Sequence, residues 1–336
     1  MVIEARTPSR IDLAGGTLDL FPLYLWEEGG LTVNMGISLG SHVRLATRED
    51  AAIRIRSEDT GAEHSATSLE ELEIEGPLAF VARIVRFYRP EAGLDITTRN
   101  DAPHGSGLGS SSALLIALSG ALRELNQADI PDEQLVFYGA NLECQDLGVP
   151  VGKQDYYGAL HGGINAIYFE VEGDRVDQIG TSEAFREELE RRLILSFTGE
   201  PRFSGATNWS MFKAYVDNEG GTRRSMRSIK DTAFRMLDAI EAEDFEALGG
   251  TLAEEWNNRK QLAEGVTTDQ IERLMAAASE AGAVASKICG AGGGGCMITL
   301  AAAGREQPVA EALAAGGARI LEYEIARKGL EVVATN

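Results

Sequence analysis

Between a strand-like and a helix-like segment the chain reads Pro103-His104-Gly105-Ser106-Gly107-Leu108-Gly109-Ser110-Ser111-Ser112-Ala113. Glycines let a backbone approach a ligand closely and adopt positive φ. A helix that begins where such a loop ends turns its free N–H groups and positive dipole end back toward the loop. The combination makes an anion site, most naturally for phosphate. The serines add hydroxyl donors or oxygen ligands for Mg²⁺. No Lys follows the last glycine, so this is not a Walker A loop. A flexible linker capped by Ser110 is the bland alternative, and the apolar helix joined directly to the loop speaks against it.

A second glycine run, Lys287-Ile288-Cys289-Gly290-Ala291-Gly292-Gly293-Gly294-Gly295-Cys296-Met297, lies near the end of the chain. Gly290, Gly292 and Gly295 have the spacing of a dinucleotide fingerprint, but a strand rather than a helix follows, and that context rejects it. A glycine loop between two strands can instead wrap a phosphate or a substrate with bare backbone. Two carboxylates come next. Glu143 sits late on a helical pattern and Asp155 follows a Gly-Val-Pro-Val-Gly turn, so the two can meet in one cleft. Each alone would read as a solvated surface charge. Near the start, Arg10 and Asp19 flank Gly15 and Gly16.

These residues need elements to position them. Residues 2–6 and 31–48 read as strands from their β-branched and apolar content. Residues 78–88 repeat apolar side chains at helical spacing, and residues 93–98 alternate like a strand. The glycine–serine loop then runs into an apolar helix over 113–125. A helix over 132–147, a loop over 148–158 and a strand over 163–170 follow. The charged stretch 171–190 reads as surface, and a strand starts near 192. Helices are predicted over 207–217, 226–241, 244–260 and 268–281. Strands over 283–288 and 296–300 flank the second glycine run. A helix near 306–314 and strands over 318–324 and 330–334 complete the pattern. Strands and helices mix irregularly, which favours an α+β fold over a doubly wound sheet. A domain boundary is placed near 190, giving units 1–190 and 191–336. Trp209 and Trp256 read as helix core, and His104 and His161 as loop and structural residues.

The chain has 336 residues, enough for about two domains. It carries 31 basic and 52 acidic residues, a net charge of −21. A surface this acidic repels phosphate backbones and anionic lipid, so neither nucleic acid nor membrane is an expected partner. The longest apolar stretch, Ala113 to Leu118, is far shorter than the ~20 residues of a membrane span. The polar N-terminus is no signal peptide. Cys144, Cys289 and Cys296 lack metal spacing and read as buried thiols of a cytoplasmic protein.

Taken in order, the segment from Pro8 to Asp19, the loop 103–113 and the run 287–297 resemble the GHMP kinase superfamily. The resemblance covers nearly the whole chain. Within the superfamily, several segments look most like the bacterial sugar-kinase branch, the D-glycero-D-manno-heptose 7-phosphate kinases and related anomeric kinases. They are Arg10-Ile11 with Ala14-Gly15-Gly16 and Asp19, Gly109 to Ser112, Gly152-Lys153-Gln154-Asp155-Tyr156, Thr198-Gly199 with Arg202, and Trp256 with Lys260. The segment from Asn208 to Asp217 departs from that pattern. The resemblance implies an N-terminal α/β domain with a left-handed βαβ unit, a C-terminal ferredoxin-like domain and an active site in the cleft between them. It implies that Pro103 and Gly105 to Ser112 hold the phosphates of ATP, that Ser111 and Glu143 hold Mg²⁺, and that Asp155 is the catalytic aspartate. Arg10 would stand beside that aspartate and the transferred phosphate, with Lys153 helping to keep Asp155 ionised. Asp19, Gly15 and Gly16 would contact the sugar, and Gly292 and Gly293 would line the substrate side. Arg202 would bind a phosphate already on the substrate, or simply be exposed.

The function expected from the resemblance is therefore ATP- and Mg²⁺-dependent phosphorylation of a sugar or sugar phosphate, with an anomeric hydroxyl as acceptor. Galactose, fucose, mevalonate or homoserine are the other acceptors the superfamily offers. Asp19 favours a polyol, because a carboxylate accepts from hydroxyls and repels an acid. A non-catalytic nucleotide or sugar sensor on the same scaffold would lack Asp155 or Glu143, and both are present. The oligomeric state stays open, a homodimer included.

Overall fold

A computed structural model of the chain describes residues 1–200 and 204–335. In chain order the strands are β1 (Val2–Ala14), β2 (Gly30–Thr47), β3 (Ile53–Ser57), β4 (Glu63–Ala66), β5 (Leu94–Asn100), β6 (Ile164–Phe169), β7 (Asp174–Gln178), β8 (Leu193–Phe197), β9 (Ala283–Ile288), β10 (Cys296–Ala301), β11 (Arg319–Leu321) and β12 (Glu331–Thr335). The α-helices are α1 (Leu23–Trp26), α2 (Ala79–Tyr88), α3 (Ser110–Leu125), α4 (Asp132–Leu147), α5 (Gln154–His161), α6 (Glu183–Arg192), α7 (Ser204–Asp217), α8 (Thr222–Glu241), α9 (Phe245–Arg259), α10 (Asp269–Ala281) and α11 (Glu306–Ala315).

Two sheets organise these elements. The first runs β12-β1-β2-β5-β3-β4, with β6 on the other half of β2 and β7 beyond it. The long β2 lies along β1 from Val33 to Ala46, pairs with β6 through Gly30–Met35 and switches to β5 from Ser41 onward. β3 and β5 pair in parallel, with β4 and α2 between them in the chain, which is the β-α-β crossover of this half. The second sheet has the order β11-β8-β10-β9 and is antiparallel throughout. Counted from β8, that is strand order 4-1-3-2, the order of a ferredoxin-like unit.

Burial explains why the sequence adopts this form. β1 alternates buried and exposed residues only at its start; from Thr7 to Ala14 every residue is buried, as in a strand covered on both faces. α3 is apolar on nearly all sides and buried from Ser112 to Leu122, so it is a central rather than a surface helix. α8 buries Met226, Ile229, Ala233, Met236, Leu237 and Ile240 at spacings of three and four, with polar residues between them. Leu13, Val33, Leu195, Ala233, Leu252 and Ile298 share one buried cluster, so the two sheets are packed through a common core.

The structure differs from the sequence reading in several places. The expected loop 148–158 already contains the start of α5, and the charged stretch 171–190 holds β7 and part of α6. The hairpin β3–β4 was not expected. The second unit is not simply 191–336: β12 leaves it and pairs with β1 in the first sheet. Trp256 is core, but Trp209 is 46% exposed and stacks on Phe212. Cys289 and Cys296 are buried, whereas Cys144 is half-buried. Among the described residues, no helix is long and apolar enough to cross a membrane.

Candidate active site

The first glycine loop turns through Gly105, Gly107 and Gly109, all at positive φ, and delivers the chain into α3. A Cβ on Gly109 would stand 2.9 Å from the carboxylate of Asp155, so only glycine lets the first turn of α3 approach that acid. Ser110 Oγ is buried with no partner among the described residues. The free N–H groups of the helix start and this hydroxyl leave donors for an anion.

Arg10 ties the loop to Asp155. Its Nε and Nη2 both reach Asp155 Oδ1, at 2.7 and 2.6 Å, and its Nη1 donates to Gly107 O at 2.7 Å. The backbone of Arg10 also donates to Leu108 O. Both contacts to the acid fall on Oδ1, and among the described residues no protein donor reaches Oδ2. Asp155 is the second residue of α5. Burial pushes its carboxyl above the usual carboxylate range, Arg10 opposes that rise, and the neighbouring Asp12 adds to it. One oxygen of a half-buried acid with a raised proton affinity, at the edge of an anion site, can accept a hydroxyl proton.

Glu143 projects from α4 toward the start of α3. Its Oε1 accepts from Ser111 Oγ at 2.6 Å, and its Oε2 accepts from Ser112 Oγ at 2.8 Å and from the Tyr156 hydroxyl. Burial raises its carboxyl and the three hydroxyls pull it back. Ser111 Oγ and Glu143 Oε1 are adjacent hard oxygens beside the anion site, a donor set that fits Mg²⁺ bound through one carboxylate plus phosphate oxygens.

Asp19 is almost fully buried. Its Oδ1 accepts from Thr17 N and its Oδ2 from Gln154 N, both at 3.0 Å. It thus caps the first residue of α5 from a distant part of the chain. Burial pushes its carboxyl up to about 6, against the pull of the Gln154 N–H. Gly15 and Gly16 form the turn just before it, with Gly16 against Asp12 and the Gln154 side chain.

Other expected residues lie differently. Lys153 does not face Asp155: its Nζ binds Asp174 at 2.6 and 2.7 Å and sits over the rings of Tyr24 and Phe169. The local reason is that Lys153 precedes α5 and leaves on the side of β7, whereas Asp155 turns inward. The second glycine loop packs directly on the first, with Cys296 N donating to Ser106 O at 2.6 Å. Gly290 and Gly295 make that approach, while Gly292 is pressed against Val266 and Gly293 N donates to Val266 O. Arg202 lies outside the described residues.

Sequence reasoning missed a buried group behind Arg10: Asp12 on β1, Glu255 and Arg259 on α9, and Lys287 on β9, all with no side-chain exposure. Lys287 Nζ is 3.2 Å from Asp12 Oδ2 and 3.7 Å from Glu255 Oε2. Burial alone would raise the Asp12 carboxyl; Lys287, Arg259 and Arg10 overcome it and hold Asp12 below its ordinary value. The signal in the sequence was the i,i+4 pair Glu255–Arg259, set among Leu252, Trp256 and Leu262.

The chain was compared with known proteins. Residues 79–163 match the GHMP kinases N terminal domain and residues 236–319 the GHMP kinases C terminal region. The D-glycero-alpha-D-manno-heptose 7-phosphate kinase of Campylobacter jejuni is 30% identical over 98% of both chains. A mevalonate kinase of Thermococcus gammatolerans is 26% identical over 99% of this chain and 98% of its own. The crystal structure of a D-glycero-D-manno-heptose 1-phosphate kinase from Bacteriodes thetaiotaomicron, 27% identical, superposes with a TM-score of 0.80 over 99% of each chain. With both characteristic halves present in order, and a relative aligned almost from end to end, this chain belongs to the GHMP kinase family.

Proposed function

We infer that this kinase transfers the γ-phosphoryl group of ATP to a hydroxyl of a sugar phosphate, with the anomeric hydroxyl of a heptose 7-phosphate as the acceptor that fits best. The observation that carries this reading is the Arg10–Asp155 pair. It stands at the mouth of the glycine loop, and its free oxygen faces the place where a phosphate on α3 would meet an acceptor. The likeness to heptose phosphate kinases over the whole chain supports the acceptor class.

Phosphoryl transfer is mainly positioning and charge stabilisation. The first turn of α3 and the Ser110 hydroxyl hold the phosphates, and Arg10 lies where the transferred group would pass. Asp155 Oδ2 accepts the proton of the attacking hydroxyl while Arg10 fixes the orientation of its carboxylate. An anomeric hydroxyl is more acidic than an ordinary alcohol and needs only a weak base. Ser111 and Glu143 would hold Mg²⁺, which when bound neutralises charge on the phosphates.

The test is ADP release with Mg·ATP against heptose 7-phosphate, galactose, fucose, mannose, glucuronate, mevalonate and homoserine, with product NMR to place the phosphate. Turnover confined to the heptose phosphate with a new anomeric phosphate is the expected result. Turnover confined to mevalonate or homoserine overturns the acceptor class, and failure to bind ATP overturns the kinase chemistry.

A further inference from the structure

The turn that carries Asp19 holds a strained residue. Thr17 has φ +79°, a left-handed conformation that a β-branched side chain rarely adopts and that costs about 1–3 kcal/mol. Such a conformation persists only where its surroundings fix it. Within the turn, Thr17 N donates to Asp19 Oδ1, Leu18 N to Gly15 O and Leu20 N to Thr17 O. These bonds lie within the turn itself.

From the first half of the fold, Thr32 Oγ1 donates to Gly15 O and Gln154 N to Asp19 Oδ2; the other half of the molecule adds a further constraint at Gly16 and Thr17. Arg259, at the last turn of α9, reaches the turn with two nitrogens. Its Nη2 donates to Gly16 O at 2.9 Å and its Nη1 to Thr17 Oγ1 at 3.1 Å, and Nη1 also approaches Gly290 O at 3.4 Å. Its Nε and Nη2 are held by Glu255 Oε1. The side chain is fully buried, and so is its partner. A buried ion pair is a poor device for stability alone, because well-packed apolar residues often do as well. A planar fork with fixed donors, by contrast, can grip the first half of the turn, the second glycine loop and its own helix at once. A lysine has no such geometry.

We propose that Arg259 is a positioning residue: reaching from the second half of the fold, it holds the Gly16–Asp19 turn in its strained form and so sets the acceptor side of the site. The turn's role as the acceptor side rests on the function inferred above.

Arg259→Lys keeps a charge opposite Glu255 but loses the fork. The double variant Glu255→Gln with Arg259→Gln removes both charges together, so no lone ion is left buried. Hydrogen exchange on the ligand-free proteins reads the turn directly. The amides of Thr17, Leu18 and Leu20 should exchange roughly 10-fold faster or more in both variants, while α3 keeps its protection. In steady state, the KM for heptose 7-phosphate should rise about 10-fold or more, while that for ATP stays within about twofold. Unchanged protection of the turn overturns the proposal, as does a KM for ATP that rises in step with that for the sugar phosphate. If the parent enzyme turns over no heptose 7-phosphate, the acceptor reading fails, and the exchange measurement still decides whether Arg259 holds the turn.

Discussion

Asp155 concentrates the chemistry in one oxygen. Because Arg10 Nε and Nη2 share Oδ1, Asp155→Asn keeps the arginine contacts while replacing the free oxygen by an amide that takes no proton. Turnover should fall by roughly 10²-fold or more while nucleotide binding, measured by calorimetry, persists. Asp19 supplies a second prediction. Its folded-state carboxyl sits at about 6, against 3.8 for the ordinary group, so the folded chain binds this proton more tightly than the unfolded one. That stabilising contribution is complete below about pH 4 and disappears as pH rises through about 6, a span of about 3 kcal/mol. Denaturant melts of the parent and Asp19→Asn should therefore show the parent gaining stability relative to the variant as pH falls from about 7 to about 4. Of the polar residues around these two acids, Arg10, Ser111 and Glu143 were legible because their types stand next to glycine loops or rigid turns. Asp12, Arg259 and Lys287 were not. Asp12 and Lys287 are single charges whose partners lie far away in the chain, so nothing in their own segments shows that they are buried in an ion-pair group, and Arg259 joins Asp12 only across the fold.

At the scale of elements, the two glycine loops behave as one unit. A Cβ on Gly295 would meet Ser106 O at 2.6 Å, and Gly295 itself has φ +80°. Gly61 has a similar φ, +69°, with open space around it. Gly61→Ala should cost only the left-handed backbone, about 1–2 kcal/mol. Gly295→Ala should cost more and also weaken ATP binding, because the first loop must shift; thermal melts and calorimetry on the pair separate the two effects. The elements missed in the sequence have physical explanations. α5 has no local cap, because its first N–H is satisfied by Asp19, which lies 135 residues earlier. β3 and β4 carry too many charges to read as strands, and they hold together through β5. The long buried run of β1 was read only at its start because a strand covered on both faces loses its alternation.

The whole molecule carries a net charge of −21. Self-repulsion on that scale destabilises the compact state, and it opposes the approach of anionic substrates to a site whose attraction is local. Raising ionic strength from about 0.01 to about 0.15 M shortens the Debye length from about 30 to about 8 Å. The melting temperature should rise by a few degrees over this range, and calorimetric scans at the two salt concentrations check it. The α+β class was legible from the order of strands and helices, and the two-domain plan from the resemblance to the GHMP kinases. The return of the last strand was not, since β12 is a short, half-exposed segment with no pattern that says which edge it joins.

That return affects how the chain comes into being. β12 zips antiparallel onto β1, and Arg6 bonds Glu331 across 325 residues of sequence. A nascent chain leaving the ribosome therefore exposes one edge of β1, the strand that bears Arg10, throughout synthesis. Until residues 331–335 emerge, that edge is a template open to any other extended segment. The seam between β1 and β12 can therefore form only after every other strand of the first sheet has been made.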